Sequence, residues 1–283
     1  MILVTGVTGQ LGYDVVKELE RCGEKFIAAS RKEMDFANEE SVKNFILDKK
    51  PDAVIHCAAY TAVDKAESEQ ELALTVNGLG TRYVAAACRE IGAKMLFIST
   101  DYVFGGDGKT PYEIDGEKTP VNTYGRSKLL GEDAVAAMLE KYFVVRISWV
   151  FGINGKNFVK TMLNLADKNK KLRVIDDQVG SPTYTADLAP LLCDMVKTEK
   201  YGFYHATNEG FCSWAEFAEE IFKQAGKKVE VEKIATVDYP TPAKRPFNSR
   251  LSKKSLDDAG FKRLPSWQSA VERYLIELKN FKV

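Results

Sequence analysis

The sequence predicts an α/β fold, a doubly wound parallel sheet carrying a smaller α/β cap. Three features carry that expectation. Short apolar runs without alternation suit strands buried on both faces. Stretches of helical period separate those runs. The first run enters a glycine-rich turn that opens a helix. Such βαβα alternation builds an open sheet with helices on both sides.

Met1–Thr5 (MILVT) is the first strand, and residues 10–22 then place Leu11, Val15, Val16, Leu19 and Cys22 on one helical face. Phe26–Ala29 gives a second strand, residues 39–49 a helix closed by Pro51, and Ala53–His56 a third strand. A helix over 79–91 ends at Gly92, where a left-handed cap suits glycine. Lys94–Ser99 is strand four, residues 121–141 a helix, and Phe143–Ser148 strand five. Beyond residue 150 the pattern loosens. Helices are expected at 156–168, 185–197, 213–225 and 266–279, with strand-like runs at 172–175, 203–207 and 229–235. The proline-rich stretch 239–247 reads as an extended loop. No repeat or flexible linker separates the halves. Residues 1–150 therefore form one part, and residues 151–283 mainly a cap, with segments at about 171–200 returning to the first part.

Composition excludes several functions. The 283 residues carry 40 basic and 40 acidic side chains, so no charge excess draws the protein to nucleic acid or an anionic membrane. No apolar stretch approaches the ~20 residues of a membrane span, and the start MILVTG lacks the basic and apolar regions of a secretory signal. A cytoplasmic location is expected. The five cysteines (Cys22, Cys57, Cys88, Cys193, Cys212) include no C-x-x-C pair, which argues against a disulfide framework or zinc ribbon. With only His56 and His205, serine–histidine hydrolysis is starved of parts, and His56, ending an apolar run, reads as a core residue.

The chemistry gathers at strand ends. Gly6, Thr8, Gly9, Gln10, Leu11 and Gly12 lie in a G-x-x-G-x-x-G turn between the first strand and its helix. There, backbone N–H groups and the helix N-terminus suit a dinucleotide pyrophosphate. Strand two ends in Ser30-Arg31-Lys32 rather than in an acidic residue. A guanidinium grips a 2′-phosphate, so Arg31 favours NADPH, while Glu33 and Asp35 leave NADH open. Asp35 and Phe36 are expected at the adenine. Ala58, Ala59 and Tyr60 follow strand three, with small side chains against which a cofactor can lie.

Tyr124 and Lys128 stand four residues apart on a helix, sharing a face. A neighbouring ammonium lowers a phenol's pKa from its usual ~10, which makes Tyr124 a candidate general acid. Tyr13 and Lys17 share the spacing but lie on the phosphate-binding helix, and that match reads as chance. At the end of strand four, Thr100 is placed to hydrogen-bond a substrate carbonyl and orient Tyr124. Trp149, after strand five, is placed to stack on a planar or sugar ring.

Together the glycine turn, the strand-four Ser/Thr and Tyr124-x-x-x-Lys128 resemble the extended short-chain dehydrogenase/reductase family. Further matching segments are TGQLG (8–12), AAYTAVDKAE (58–67), STDYVFGG (99–106), RISWVFG (146–152), DQVGSPT (177–183) and RPFNSRLS (245–252). The resemblance is strongest to the branch that acts on dTDP-4-dehydrorhamnose. It implies a Rossmann-like fold and NAD(P)H-dependent reduction of the 4-keto group of dTDP-4-dehydro-β-L-rhamnose to dTDP-L-rhamnose. It further implies Tyr124 as proton donor, Lys128 on the nicotinamide ribose, Thr100 as the third catalytic residue, and Val63, Asp101 and Trp149 facing the dTDP-sugar. Arg245 and Arg250 are added for the sugar-nucleotide pyrophosphate on charge and loop position. The resemblance leaves Mg²⁺ dependence and a homodimer open, with no metal ligand assigned. Two alternatives remain: another nucleotide-sugar epimerase or dehydratase of the family, and a non-catalytic NADP-binding regulatory subunit.

Overall fold

The computed structural model describes residues 1–281. The first half alternates strand and helix: β1 (Ile2–Thr5), α1 (Gln10–Arg21), β2 (Phe26–Ala29), α2 (Glu39–Lys49) and β3 (Ala53–His56). Two short helices, α3 (Val63–Ala66) and α4 (Gln70–Leu74), lead through a π turn at Thr75–Leu79 into α5 (Gly80–Ile91). Then come β4 (Lys94–Thr100), α6 (Thr123–Met138) and β5 (Tyr142–Ile147). The helix expected at 79–91 is thus the end of a longer helical run, whose first turns lack a clear apolar stripe.

The second half comprises β6 (Val150–Phe151), α7 (Phe158–Ala166), β7 (Lys171–Ile175), β8 (Val179–Gly180), β9 (Thr183–Tyr184) and α8 (Thr185–Met195). After these follow β10 (Gly202–His205), β11 (Cys212–Ser213), α9 (Trp214–Gln224), β12 (Glu230–Ile234), β13 (Asn248–Ser249), α10 (Lys254–Asp258) and α11 (Trp267–Asn280).

Six strands form the central sheet in the order β10-β5-β4-β3-β1-β2, and every pairing in it is parallel. Both faces are covered, as the unalternating runs require. One face packs Leu11, Val15 and Leu19 of α1 with Leu188, Leu192 and Met195 of α8. The other packs Val42 and Ile46 of α2 with Val84 and Cys88 of α5 and Val135 of α6. Strand order reverses between β1 and β3, and open sheets bind ligands at the carboxyl ends beside such a switch.

Between residues 171 and 205 the chain leaves the central sheet and returns to it. β7 pairs in parallel with β12 in a separate two-stranded sheet. α8 and β10 complete the large sheet and its cover. The split has a packing reason: α8 is apolar on the side it lays on α1, whereas Lys171 and Arg173 of β7 stay exposed and pair with Glu230 and Glu232. The cap has its own core, where Phe151, Phe217, Tyr184, Trp267 and Tyr274 meet. Tyr13 and Lys17 point to α11, Tyr13 edge-on to Phe281 and Lys17 paired with Glu277 at 2.8 Å.

Candidate active site

A cleft of about 660 Å³ runs along the carboxyl ends of the central strands, with Lys156 and Trp214 of the second half among its lining. Its floor begins at the glycine turn. Gly6 has φ +69°, and a Cβ there would stand 2.6 Å from the Ala58 nitrogen, so the turn tolerates no side chain while β1 stays against β3. Helix α1 starts at Gly9 without a side-chain cap. Its first backbone N–H groups therefore have no intrahelical partner, and Gln10, Leu11 and Gly12 line the cleft. An uncapped helix start with glycine at the approach fits a pyrophosphate. Arg31, Asp35 and Phe36 line the same end.

The wall beyond β3 is fixed by the π turn. Asn77 is buried there, accepts from the Tyr60 backbone N–H at 2.7 Å, and donates to the Tyr60 carbonyl at 3.0 Å and to Ser127 Oγ at 2.9 Å. Ser127 Oγ in turn donates to the Tyr124 carbonyl at 2.7 Å. One side chain thus ties the Ala58–Tyr60 wall to the helix bearing Tyr124 and Lys128. His56 lies beneath, bonded to Thr5 Oγ1 at 2.8 Å and pushed down to about 3 by burial. It is a core residue, neutral at physiological pH.

α6 is capped by Asn122, whose side chain accepts from the Gly125 N–H at 2.8 Å. Within the first turn, Tyr124 opens onto the cleft, edge-on to Tyr102 with ring centroids 5.7 Å apart. Lys128 is 2% exposed, with Nζ 4.0 Å from the Phe97 ring centroid. Thr100 Oγ1 accepts from the Tyr102 N–H at 3.2 Å and donates to Asp101 Oδ1 at 2.9 Å, and Thr100 lines the cleft together with Tyr124.

Electrostatically the site departs from the sequence expectation. Burial pushes the Tyr124 phenol up, the Asp101 charge adds to that, and the Thr100 hydroxyl pulls the other way. Lys128 is itself desolvated, which lowers it to about 7 against the opposing Glu132 charge. Desolvation disfavours whichever form is charged, and here it acts on both members of the pair.

The cleft brings together every residue singled out from the sequence except two. Val63, Asp101 and Trp149 lie along it with the glycine turn, Thr8, Ala58, Ala59, Tyr60, Thr100, Tyr124 and Lys128. Arg245 and Arg250 do not line it. Arg245 forks onto Asp64 at 2.9 and 2.8 Å, and Arg250 donates to Asn248 Oδ1 at 2.7 Å and to the Lys109 carbonyl at 2.7 Å. Charge and loop position suggested a pyrophosphate site, but these guanidiniums are taken up by protein partners, Asp64 and Lys109 among them far away in sequence. Lining residues absent from the sequence reading include Lys156 and Trp214. Trp214 stacks on Trp149 at 3.6 Å, and Trp149 holds φ +48°, a strained conformation for a bulky residue of the kind found at binding sites. Only the cap's folding places Trp214 there. Lys156, a lone cation in a glycine-rich loop, is the one of the two that sequence could have flagged. Among the described residues no group of three or more His, Cys, Asp or Glu is arranged to hold a metal ion, and no helix is long and apolar enough to cross a membrane.

The family model described as the RmlD substrate binding domain matches residues 1–280. The chain belongs to that family. It is 41% identical to the spore coat polysaccharide biosynthesis protein SpsK of Bacillus subtilis, over 98% of this chain and 97% of that one. It is 37% identical to the dTDP-4-dehydrorhamnose reductase of Escherichia coli, again over 98% and 97%. Among solved structures, the dTDP-4-dehydrorhamnose reductase of Bacillus anthracis in complex with NADP superposes with a TM-score of 0.95, at 42% identity and 98% coverage of both chains.

Proposed function

We propose that this chain is an NADPH-dependent reductase of dTDP-4-dehydro-β-L-rhamnose, forming dTDP-L-rhamnose, with Tyr124 as proton donor. The observation that carries the reading is the convergence of Tyr124, Lys128 and Thr100 on one cleft whose far end is the uncapped glycine turn. The name of the Escherichia coli relative and the NADP of the Bacillus anthracis relative support substrate and cofactor. A reduced nicotinamide supplies the hydride; the chain supplies alignment, a proton and charge.

The N–H groups of Gln10, Leu11 and Gly12 would hold the pyrophosphate, Arg31 would take the 2′-phosphate, and Asp35 and Phe36 would border the adenine. Val63, Asp101 and the Trp149–Trp214 stack receive the sugar nucleotide. Tyr124 Oη stands ready to give its proton to the ketone oxygen. The buried Lys128 ammonium, favoured once an anionic dinucleotide shares the cleft, lowers the cost of the tyrosinate left behind. Fixing donor and ketone in one geometry lowers the barrier further.

The decisive assay is loss of NADPH absorbance with dTDP-4-keto-6-deoxyglucose, with and without a 3,5-epimerase that supplies the rhamno epimer. Oxidation that requires the epimerase is the expected result. Nucleotide bound without oxidation would favour a regulatory subunit, and cofactor that copurifies and stays bound through turnover would favour an epimerase. Tyr124→Phe is expected to bind NADPH as the wild type does while losing about 10²–10⁴-fold in turnover. Near-wild-type turnover by that variant would remove Tyr124 from its role.

A further inference from the structure

Thr100 has one hydroxyl proton and two neighbours that compete for it. Oγ1 donates to Asp101 Oδ1 at 2.9 Å, and the same hydroxyl acts on the Tyr124 phenol, pulling its pKa down against burial. A hydroxyl donates only once but accepts twice, so the side chain cannot serve both. Asp101 is 3% exposed and lines the cleft, and among the described residues its Oδ2 makes no well-formed hydrogen bond, although the Ser249 hydroxyl also favours the charged form. A carboxylate buried with one oxygen unpaired is costly, and a neutral carboxyl answers that cost.

We propose that Asp101 is a positioning residue that sets, through Thr100, the direction of the hydrogen bond presented to Tyr124. As a neutral acid it donates to Thr100 Oγ1 and turns the threonine proton toward the Tyr124 oxygen, where a tyrosinate must be stabilised after proton transfer. As a carboxylate it draws that proton away and adds a repelling charge. The inference rests on Tyr124 being the proton donor and deepens that reading.

The surroundings agree. Burial raises the Asp101 carboxyl to about 6, against the Thr100 and Ser249 hydroxyls that favour its charged form. Its charge in turn raises both Tyr124 and Tyr102. The groups facing Asp101 are Tyr124 from α6, Tyr102 beside it and the Ser249 hydroxyl from β13. Arg245 and Asp64 stand beyond Tyr102 and oppose each other in their effect on it. Lys128 is answered instead by Glu132.

The test is the pH profile of kcat/KM for the keto-sugar nucleotide at saturating NADPH, from about pH 5.5 to 8.5, which reports groups of the form that binds substrate. The wild type is expected to lose about tenfold per pH unit above a midpoint at or above the Asp101 value. Asp101→Asn, whose amide can donate to Thr100 at every pH, is expected to be slower at the acid end yet to vary by less than about threefold across the range. Thr100→Val is expected to be slow and flat. The wild-type limb surviving in Asp101→Asn would overturn the inference. So would its survival in Thr100→Val, which would show a direct charge effect instead. Equal turnover by wild type and Tyr124→Phe would remove Tyr124 as proton donor, a failure of the proposed function that is read apart from the pH profiles. The carboxyl carbon resonance of Asp101 in the intact protein then decides: titration at the ordinary ~3.9 overturns the inference, and titration well above it, shifted by Thr100→Val, supports it.

Discussion

At the scale of single residues, the site works by desolvation more than by pairing. Lys128 is buried under Phe97 and lowered to about 7, so near neutral pH the free protein holds much of it uncharged. An anionic dinucleotide favours the ammonium, which gives the complex a higher lysine pKa than the free protein. The sign follows: binding takes up a proton and weakens as pH rises from 7 toward the value in the complex. NADPH affinity measured by fluorescence titration is expected to fall by up to about tenfold per pH unit in that window. Lys128→Met should bind more weakly and lose the dependence, and a flat wild-type profile would contradict the assignment. The sequence spacing of Tyr124 and Lys128 placed both on one face of α6 and at the right sheet edge. It carried no information on burial, and so the expected lowering of the phenol came out with the opposite sign.

At the scale of elements, α6 is held by a buried ion pair two turns past Tyr124. Arg146 on β5 forks onto Glu132 at 2.8 and 2.8 Å, donates to the Ile114 carbonyl at 2.8 Å, and lies between the rings of Phe104 and Phe203. His205 of β10 accepts from it at 3.2 Å. This joins helix, sheet and the loop after β4 in one network. Removing one charge leaves the other buried and unpaired, which costs about 3–5 kcal/mol, while replacing both with apolar residues of similar volume is often neutral. Glu132→Leu alone and Arg146→Met alone are therefore expected to lower the urea midpoint sharply, with the double variant recovering much of the loss. A double variant as unstable as the sum of the singles would contradict this account. The network also marks where sequence reading ends. The glycine turn, the strands of the central sheet and the longer amphipathic helices repeat over a few residues and were legible, whereas α3, α4, α10 and the two-residue strands were not. The Glu132–Arg146 pair, the Asn77 tie across the π turn and the Arg245–Asp64 fork join residues far apart in the chain, with no local period to betray them. The same limit hid the pairing of β7 with β12.

At the scale of the whole molecule, buried titratable groups set how stability depends on pH. His56 and His205 fall to about 3 in the fold, below their unfolded ~6.5. The unfolded chain thus binds protons the fold excludes, and stability rises with pH between those values. Asp101, raised to about 6, opposes them with a single proton. Lys128 at about 7 and Lys253 at about 8 act like the histidines in a higher window. The unfolded chain charges both lysines until ~10.4, so stability goes on rising above neutrality. Lys253 has no carboxylate partner among the described residues, its nearest contacts being Ser181 Oγ at 3.4 Å and the Phe211 ring. The rise ends where buried thiols take over. Cys57, Cys88 and Cys193 are pushed up to about 12, whereas unfolded thiols ionise near ~8.5 and then favour the unfolded chain. Stability to urea should therefore climb from pH 5 through 7 to a maximum near pH 8–9 and decline beyond it, each lysine contributing up to about 1.4 kcal/mol per pH unit within its window. Lys253→Met is expected to flatten the alkaline part of the climb. A wild-type urea midpoint that falls between pH 7 and 8.5 would mean these lysines keep their charge inside the fold, and with that the desolvated state of Lys128, on which the pH-dependent binding of NADPH depends, would be lost as well.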